Sequence, residues 1–181
     1  MGTPSTRSRP NILIVGTPCT GKTTLAKQVA QQIGFTHLDI NEIAREHDLY
    51  ESYDENYGCH VLDEEKVLDH MEERMDSNEG GCVVDYHGCD FFTERWFDAV
   101  FVLRTDNTKL YDRLVARGYN ERKIKENVEC EIFGTLLEEA QDSYKEEIVH
   151  EIQNDTVEQM EENLAKIINW IQEWEGSKMS V

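Results

Sequence analysis

The chain opens with a polar stretch, Met1 to Pro10, and then turns abruptly apolar. Asn11-Ile12-Leu13-Ile14-Val15 is a short β-branched run that breaks into Gly16-Thr17-Pro18, which predicts a buried strand of a parallel sheet. From about Gly21 the period changes. Leu25, Val29 and Ile33 recur every four residues, Ala26 and Ala30 flank them, and Gly34 stands where a glycine ends a helix. Phe35 to Ile40 predicts a weaker second strand, and the segment from Asp39 to Asp63 is polar, tyrosine-bearing and mostly non-periodic.

Regularity returns at Glu64 to Met75, where Val67, Leu68, Met71 and Met75 define a helical face that ends before Asn78 and Gly80-Gly81. Cys82-Val83-Val84-Asp85 predicts a third buried strand ending on a carboxylate, and Asp98 to Leu103 a fourth, closed by Arg104. A helix over Asn107 to Ala116 stops near Gly118. A second, from about Glu121 to Ser143, runs through Ile124, Val128, Ile132, Leu136 and Ala140. Ile148 to Ile152 predicts a fifth strand, and Val157 to Trp174 a closing helix. Strands alternating with helices imply βαβ crossovers and a parallel sheet covered on both faces. Ligands of such sheets bind beyond the carboxyl ends of the strands, here just after Val15, Ile40, Val84 and Leu103.

Composition narrows the class. At 181 residues the chain is long enough for one core and too short for two ordinary domains. One domain is expected over residues 11–175, with a flexible tail at 1–10 and a further tail at 176–181. No stretch reaches eighteen uninterrupted apolar residues, so a membrane span is not expected. The five cysteines form no Cys-x-x-Cys pair, which argues against a disulfide scaffold or a four-cysteine zinc site and for a reducing setting. The net charge of −19 disfavours broad binding to nucleic-acid backbones. The charge is also uneven. Residues 1–38 hold four bases and no acid, whereas residues 121–162 hold fourteen acids against four bases. The first can receive an anion. The second is a solvated face or a surface for a basic partner.

Gly16-Thr17-Pro18-Cys19-Thr20-Gly21-Lys22-Thr23 fits G-x-x-x-x-G-K-[ST] directly after a predicted strand and at the opening of a helix. The glycines let successive N–H groups turn inward, and the helix N-terminus adds partial positive charge. Lys22 is placed for the β- and γ-phosphates of ATP, Thr23 for Mg²⁺ and Thr24 for an α-phosphate oxygen. Asp85, ending its strand, is the second expected Mg²⁺ carboxylate. Asp85-Tyr86-His87-Gly88 also fits the D-x-x-G of a GTPase switch, but Thr108-Lys109-Leu110-Tyr111 has tyrosine where the guanine-binding acid belongs. The short chain with arginines flanking Gly118 fits a small-molecule phosphotransferase better. A phosphotransferase for a sugar or shikimate-like alcohol remains a rival.

Further runs are specific enough to carry a resemblance. Pro10-Asn11-Ile12-Leu13, Ala44-Arg45-Glu46, Leu49-Tyr50, Leu62-Asp63-Glu64, Val84 to Phe92, Val102 to Asp106, Arg117-Gly118-Tyr119-Asn120 and Cys130-Glu131-Ile132-Phe133 resemble the family of adenylate kinase isoenzyme 6. That family is also known as the coilin-interacting nuclear ATPase and as a factor in small ribosomal subunit maturation. The resemblance spans about residues 10–175 and implies a nucleoside monophosphate (NMP) kinase fold. This is a five-stranded parallel core with an NMP-binding insert at about 39–62 and a short lid at about 116–126.

By resemblance, ATP and Mg²⁺ are the cofactors and the γ-phosphate passes to AMP and related NMPs, beside a slow ATPase activity. Arg117 then lies on the ATP phosphates, and Asp39, Arg45 and Arg104 serve the acceptor NMP. His87 takes a position linked to ATPase activity. Family partners are a basic ribosomal protein of the small-subunit platform (uS11) and the pre-40S particle. A monomer in nucleus and cytoplasm is the expectation. An ATP-switched assembly factor with incidental kinase activity is the alternative. One departure stands out: Cys19 occupies a loop position that is usually glycine in this family. If a positive φ is needed there, a side chain costs about 1 kcal/mol or more, and a thiol at that place is expected to be oxidisable. The other histidines, His37 among them, are read as surface or core residues.

Overall fold

A computed structural model describes residues 5–180. Five parallel strands, β1 (Ile12–Gly16), β2 (Thr36–Asp39), β5 (Cys82–Asp85), β6 (Ala99–Arg104) and β7 (Val149–Gln153), form one sheet in the order β2-β5-β1-β6-β7. The helices are α1 (Lys22–Ile33), α2 (Ile40–His47), α3 (Glu64–Met75), α4 (Asn107–Ala116), α5 (Glu121–Ile132), α6 (Thr135–Ser143) and α7 (Val157–Met179). Strands β3 (Tyr50–Asp54) and β4 (Cys59–Leu62) pair as a separate antiparallel hairpin.

Alternation along β1 sorts its side chains to the two faces. Leu13 and Val15 join Val84, Val100 and Val102 under Ile40, Ala44, Val67, Met71 and Ala140, which belong to α2, α3 and α6. Ile12 and Ile14 join Val83, Ala99, Phe101 and Leu103 under Leu25, Val29, Ile167 and Ile171 of α1 and α7. Both faces of β1 are therefore dry, which explains its unbroken apolar run. The chain crosses from one side of β1 to the other between β5 and β6. The loop after β1 thus opens into the crevice where such sheets bind ligands.

Three expectations need correction. Residues 5–9 are strapped down rather than free: Arg7 Nε lies 3.2 Å from Asp98, Ser8 N donates to Asn78 O at 2.8 Å, and Lys178 Nζ donates to Arg7 O at 2.6 Å. The same lysine belongs to α7, which runs on to Met179, past the helix end expected at Trp174. Residues 1–4 and 181 of the expected tails lie outside the described residues. Last, the helix expected over 121–143 is broken at Phe133-Gly134, where Gly134 takes φ 63° and starts α6. Among the described residues, no helix is long and apolar enough to cross a membrane.

Candidate active site

The loop between β1 and α1 is held open by two close approaches that only glycine permits. A Cβ on Gly16 would stand 2.8 Å from Thr20 Oγ1 and 2.9 Å from Leu103 O. Gly21, at φ 95°, would press a Cβ to 2.8 Å from both Asn154 Nδ2 and Met160 Cε. The loop is also pinned from within and without. Thr20 Oγ1 donates to Thr17 O at 2.7 Å, Asn154 Nδ2 donates to Thr20 O at 2.7 Å, and Arg113 Nη1 donates to Cys19 O at 3.2 Å. Neither Arg113 nor Asn154 stood out in the sequence.

Lys22 Nζ reaches back over the loop to Thr17 O at 3.2 Å, which sets the ammonium above the ring of loop amides. Thr23 Oγ1 donates to Asp85 Oδ1 at 3.0 Å. Asp85 is nearly fully buried at the end of β5, and its second oxygen contacts His37 Nε2. Register accounts for the neighbours. Asp39 lies beside Asp85 in the β2–β5 pair, and His37, two residues earlier on β2, shares that face. His37 is therefore a member of the site, not a bystander. Thr24 is exposed in the first turn of α1, beside the loop.

Electrostatics follow from this crowding. Burial lowers the Lys22 pKa to about 8, with Arg117 lowering it further and Asp85 opposing. Asp39, which caps α2 by accepting from Asn41 N at 3.0 Å and Glu42 N at 3.3 Å, is pushed up by desolvation and by Asp85. His87 reaches solvent on one side, yet the cleft walls and the Lys22 ammonium bring its pKa down to about 4, so it is neutral near pH 7. A triphosphate beside Lys22 restores its proton. ATP binding near pH 8 to 9 should therefore take up protons, and affinity should fall as pH rises above about 8. Titration calorimetry in buffers of different ionisation enthalpy checks this directly.

The donor set suits magnesium, since a hydroxyl and a carboxylate oxygen are hard ligands and leave positions for phosphate oxygens. Beside the loop lies a cavity of about 350 Å³ whose wall includes Gly21, Ala116, Arg117, Val157 and Met160. It is mixed apolar and cationic, which fits a base and its phosphates. Arg117 is exposed at the end of α4 and Arg45 is exposed on α2. Among the described residues neither makes an ion pair, so both guanidinium groups remain available to a ligand.

Arg104, expected to serve the acceptor, is different: the protein already engages it. Its Nε donates to Glu131 Oε1 at 2.7 Å, its Nη2 to Glu131 O at 2.7 Å and its Nη1 to Glu151 at 3.3 Å. Three of the five N–H groups of its guanidinium are thus engaged by the protein.

Cys19 adopts φ 72°, the strained conformation anticipated for a side chain at a glycine position. Its thiol packs with Leu110, Leu114 and Ile124 of α4 and α5 and is only 9% exposed. Ready oxidation needs access, which this burial denies. Cys19→Gly should keep nucleotide binding. Cys19→Val, β-branched at positive φ, should lower stability by about 1–3 kcal/mol and weaken ATP affinity. Chemical unfolding and titration of the two variants distinguish these outcomes.

Comparison with known proteins agrees with this geometry. A protein-family description, "AAA domain", matches residues 12–134. An adenylate kinase isoenzyme 6 homolog of Caenorhabditis elegans is 64% identical over 167 residues, 92% of each chain. One of Drosophila melanogaster is 51% identical over 174 residues, covering 96% of this chain and 98% of the other. Among solved structures, shikimate kinase of Bacteroides thetaiotaomicron superposes with a TM-score of 0.61 at 16% identity, over 90% of this chain and 98% of that one. The last likeness shows a P-loop kinase fold and nothing of the acceptor. With its phosphate loop, its five-stranded parallel sheet and near full-length relatives at these identities, the chain belongs to the adenylate kinase isoenzyme 6 family.

Proposed function

We propose that this nucleotide kinase transfers the γ-phosphoryl group of ATP to AMP and related nucleoside monophosphates, and hydrolyses ATP slowly when no acceptor is present. The observation that carries the reading is the meeting of Lys22, Thr23 and Asp85 beyond the carboxyl ends of the central strands β1 and β5, with Arg117 and Arg45 in no ion pair among the described residues. Thr23 and Asp85 would hold Mg²⁺, and His37 orients the carboxylate from behind. When bound, the ion neutralises charge on the β- and γ-phosphate oxygens.

The protein's own groups do the rest. Loop amides, Lys22 and Arg117 hold the donor triphosphate while Arg45 brings the acceptor phosphate into line. An acceptor oxygen then bonds to the γ-phosphorus as the bond to the β–γ bridging oxygen breaks, leaving ADP and the acceptor's diphosphate, which is a second ADP when the acceptor is AMP. Water in the acceptor's place gives ADP and phosphate, its proton passing to solvent, and neutral His87 can orient that water by accepting a hydrogen bond from it. Closure of the lid over the cleft excludes water and so favours transfer.

The run of fourteen acids against four bases over residues 121–162 supports a second, compatible role: an ATP-switched factor in small-subunit maturation. The exposed acids among them suit a basic ribosomal protein such as uS11 on the pre-40S particle, and nucleus and cytoplasm are the setting that follows. Turnover of Mg·ATP with each monophosphate, with and without the ribosomal protein, tests both. Strong acceleration by AMP supports the kinase reading. Acceleration by the basic protein and not by AMP replaces it with the switch.

A further inference from the structure

The break between α5 and α6 brings two glutamates onto two different active-site loops. In an unbroken helix, side chains eight residues apart sit about 80° apart around the axis. The left-handed turn at Gly134 removes that constraint and redirects α6.

On the last turn of α5, Glu131 is 3% exposed. Its Oε2 accepts from Thr17 Oγ1 at 2.7 Å, and its Oε1 accepts from Arg104 Nε at 2.7 Å and Thr105 N at 3.0 Å. Thr17 is the second residue of the phosphate loop, and Thr105 follows β6. On α6, Glu139 Oε1 accepts from Cys89 N at 2.7 Å and Asp90 N at 3.2 Å. These amides belong to the loop that carries His87 away from Asp85. A Cβ on Gly88 would lie 3.1 Å from that same oxygen, so the loop passes tightly beneath it. Tyr144, just past α6, donates its hydroxyl to Cys89 O at 3.2 Å and closes the same loop from the other side.

Each glutamate holds one of the two loops. Loops leaving adjacent parallel strands have no ladder to fix their separation once they pass the sheet. Carboxylates accepting from hydroxyl, guanidinium and amide donors, Glu131 buried and Glu139 partly so, supply directional anchors there.

The geometry points to Glu131 and Glu139 as positioning residues, one elbow-shaped element that sets the phosphate loop and the His87 loop in register. This rests on the kinase reading above and deepens it. The two arms should separate in measurement. Loss of the Glu131 arm loosens the phosphate loop and acts on ATP affinity. Loss of the Glu139 arm frees the His87 loop and acts on turnover while the phosphate loop keeps its grip.

The test uses the full chain with Thr17→Val, Glu139→Ala and Glu139→Gln. Thr17→Val removes one arm without touching the Arg104 pair, so a fold-wide failure is not built into it. Thr17→Val should raise the Kd of Mg·ATP roughly five- to tenfold, the scale of one lost hydrogen bond. Glu139→Ala should lower kcat with AMP by about tenfold or more and leave the Kd of Mg·ATP within about twofold. Glu139→Gln, which keeps an acceptor oxygen, should recover most of the rate. Amide hydrogen exchange at Cys89 and Asp90 should quicken in Glu139→Ala and not in Glu139→Gln. Wild-type kcat and unchanged exchange in Glu139→Ala would overturn the proposal, as would parallel shifts of Kd and kcat in both arms. If the wild-type protein turns over no nucleotide, the kinase reading fails, and exchange at the two amides still decides the clamp.

Discussion

Replacing Lys22 by alanine is expected to lower ATP turnover by about 10²- to 10³-fold, the loss typical of one preorganised charge-stabilising donor. The ammonium sits over the loop at 3.2 Å from Thr17 O. The folded protein should not suffer. Burial lowers the Lys22 pKa from 10.5 to about 8, so keeping the side chain charged costs stability at every pH below about 8. That cost fades as pH rises from about 8 to 10.5 and the unfolded state alone retains the proton. The alanine variant should therefore unfold at the same denaturant concentration as wild type, or a higher one, near pH 7. Loss of rate without loss of stability marks a functional group. A turnover near the wild-type rate contradicts the assignment.

Asp85→Asn is the second large effect. The amide keeps the volume but removes the charge that would hold Mg²⁺, and it forfeits the strong contact with His37. A fall in turnover of about 10²-fold or more is expected, with a shift of half-saturation to higher Mg²⁺. Because Thr23 still offers its hydroxyl, weak nucleotide binding should persist in titrations. A variant with unchanged Mg²⁺ dependence would remove Asp85 from the metal site.

What the sequence made legible was what depends on neighbours along the chain. The phosphate loop is defined by spacing within eight residues, and β5 by three apolar residues ending in Asp85. Contacts set by strand order were hidden. His37 meets Asp85 only because β2 lies beside β5, which periodicity does not reveal. Arg113 and Asn154 pin the loop from elements 41 residues apart in the chain. The break at Gly134 was masked because Ile132, Leu136 and Ala140 keep four-residue spacing straight through it. Only the positive φ of a glycine ends the helix there.

The insert was the hardest segment. Helix α2 buries only Ile40 and Ala44, too few to establish a period. The β3–β4 hairpin exposes most of its side chains on both faces, so no alternation marks it. Arg104 is less free than its place in the sequence suggests. A strand-end arginine near a phosphate site looks free in sequence, and the buried carboxylate that consumes it lies 27 residues on, at Glu131.

Titration of the purified protein with Mg·ATP tests the central claim most directly. The account predicts one saturable site per chain, with proton uptake near pH 8 and with binding greatly weakened in Lys22→Ala. No heat at any concentration of Mg·ATP, or equal affinity in Lys22→Ala, would contradict it.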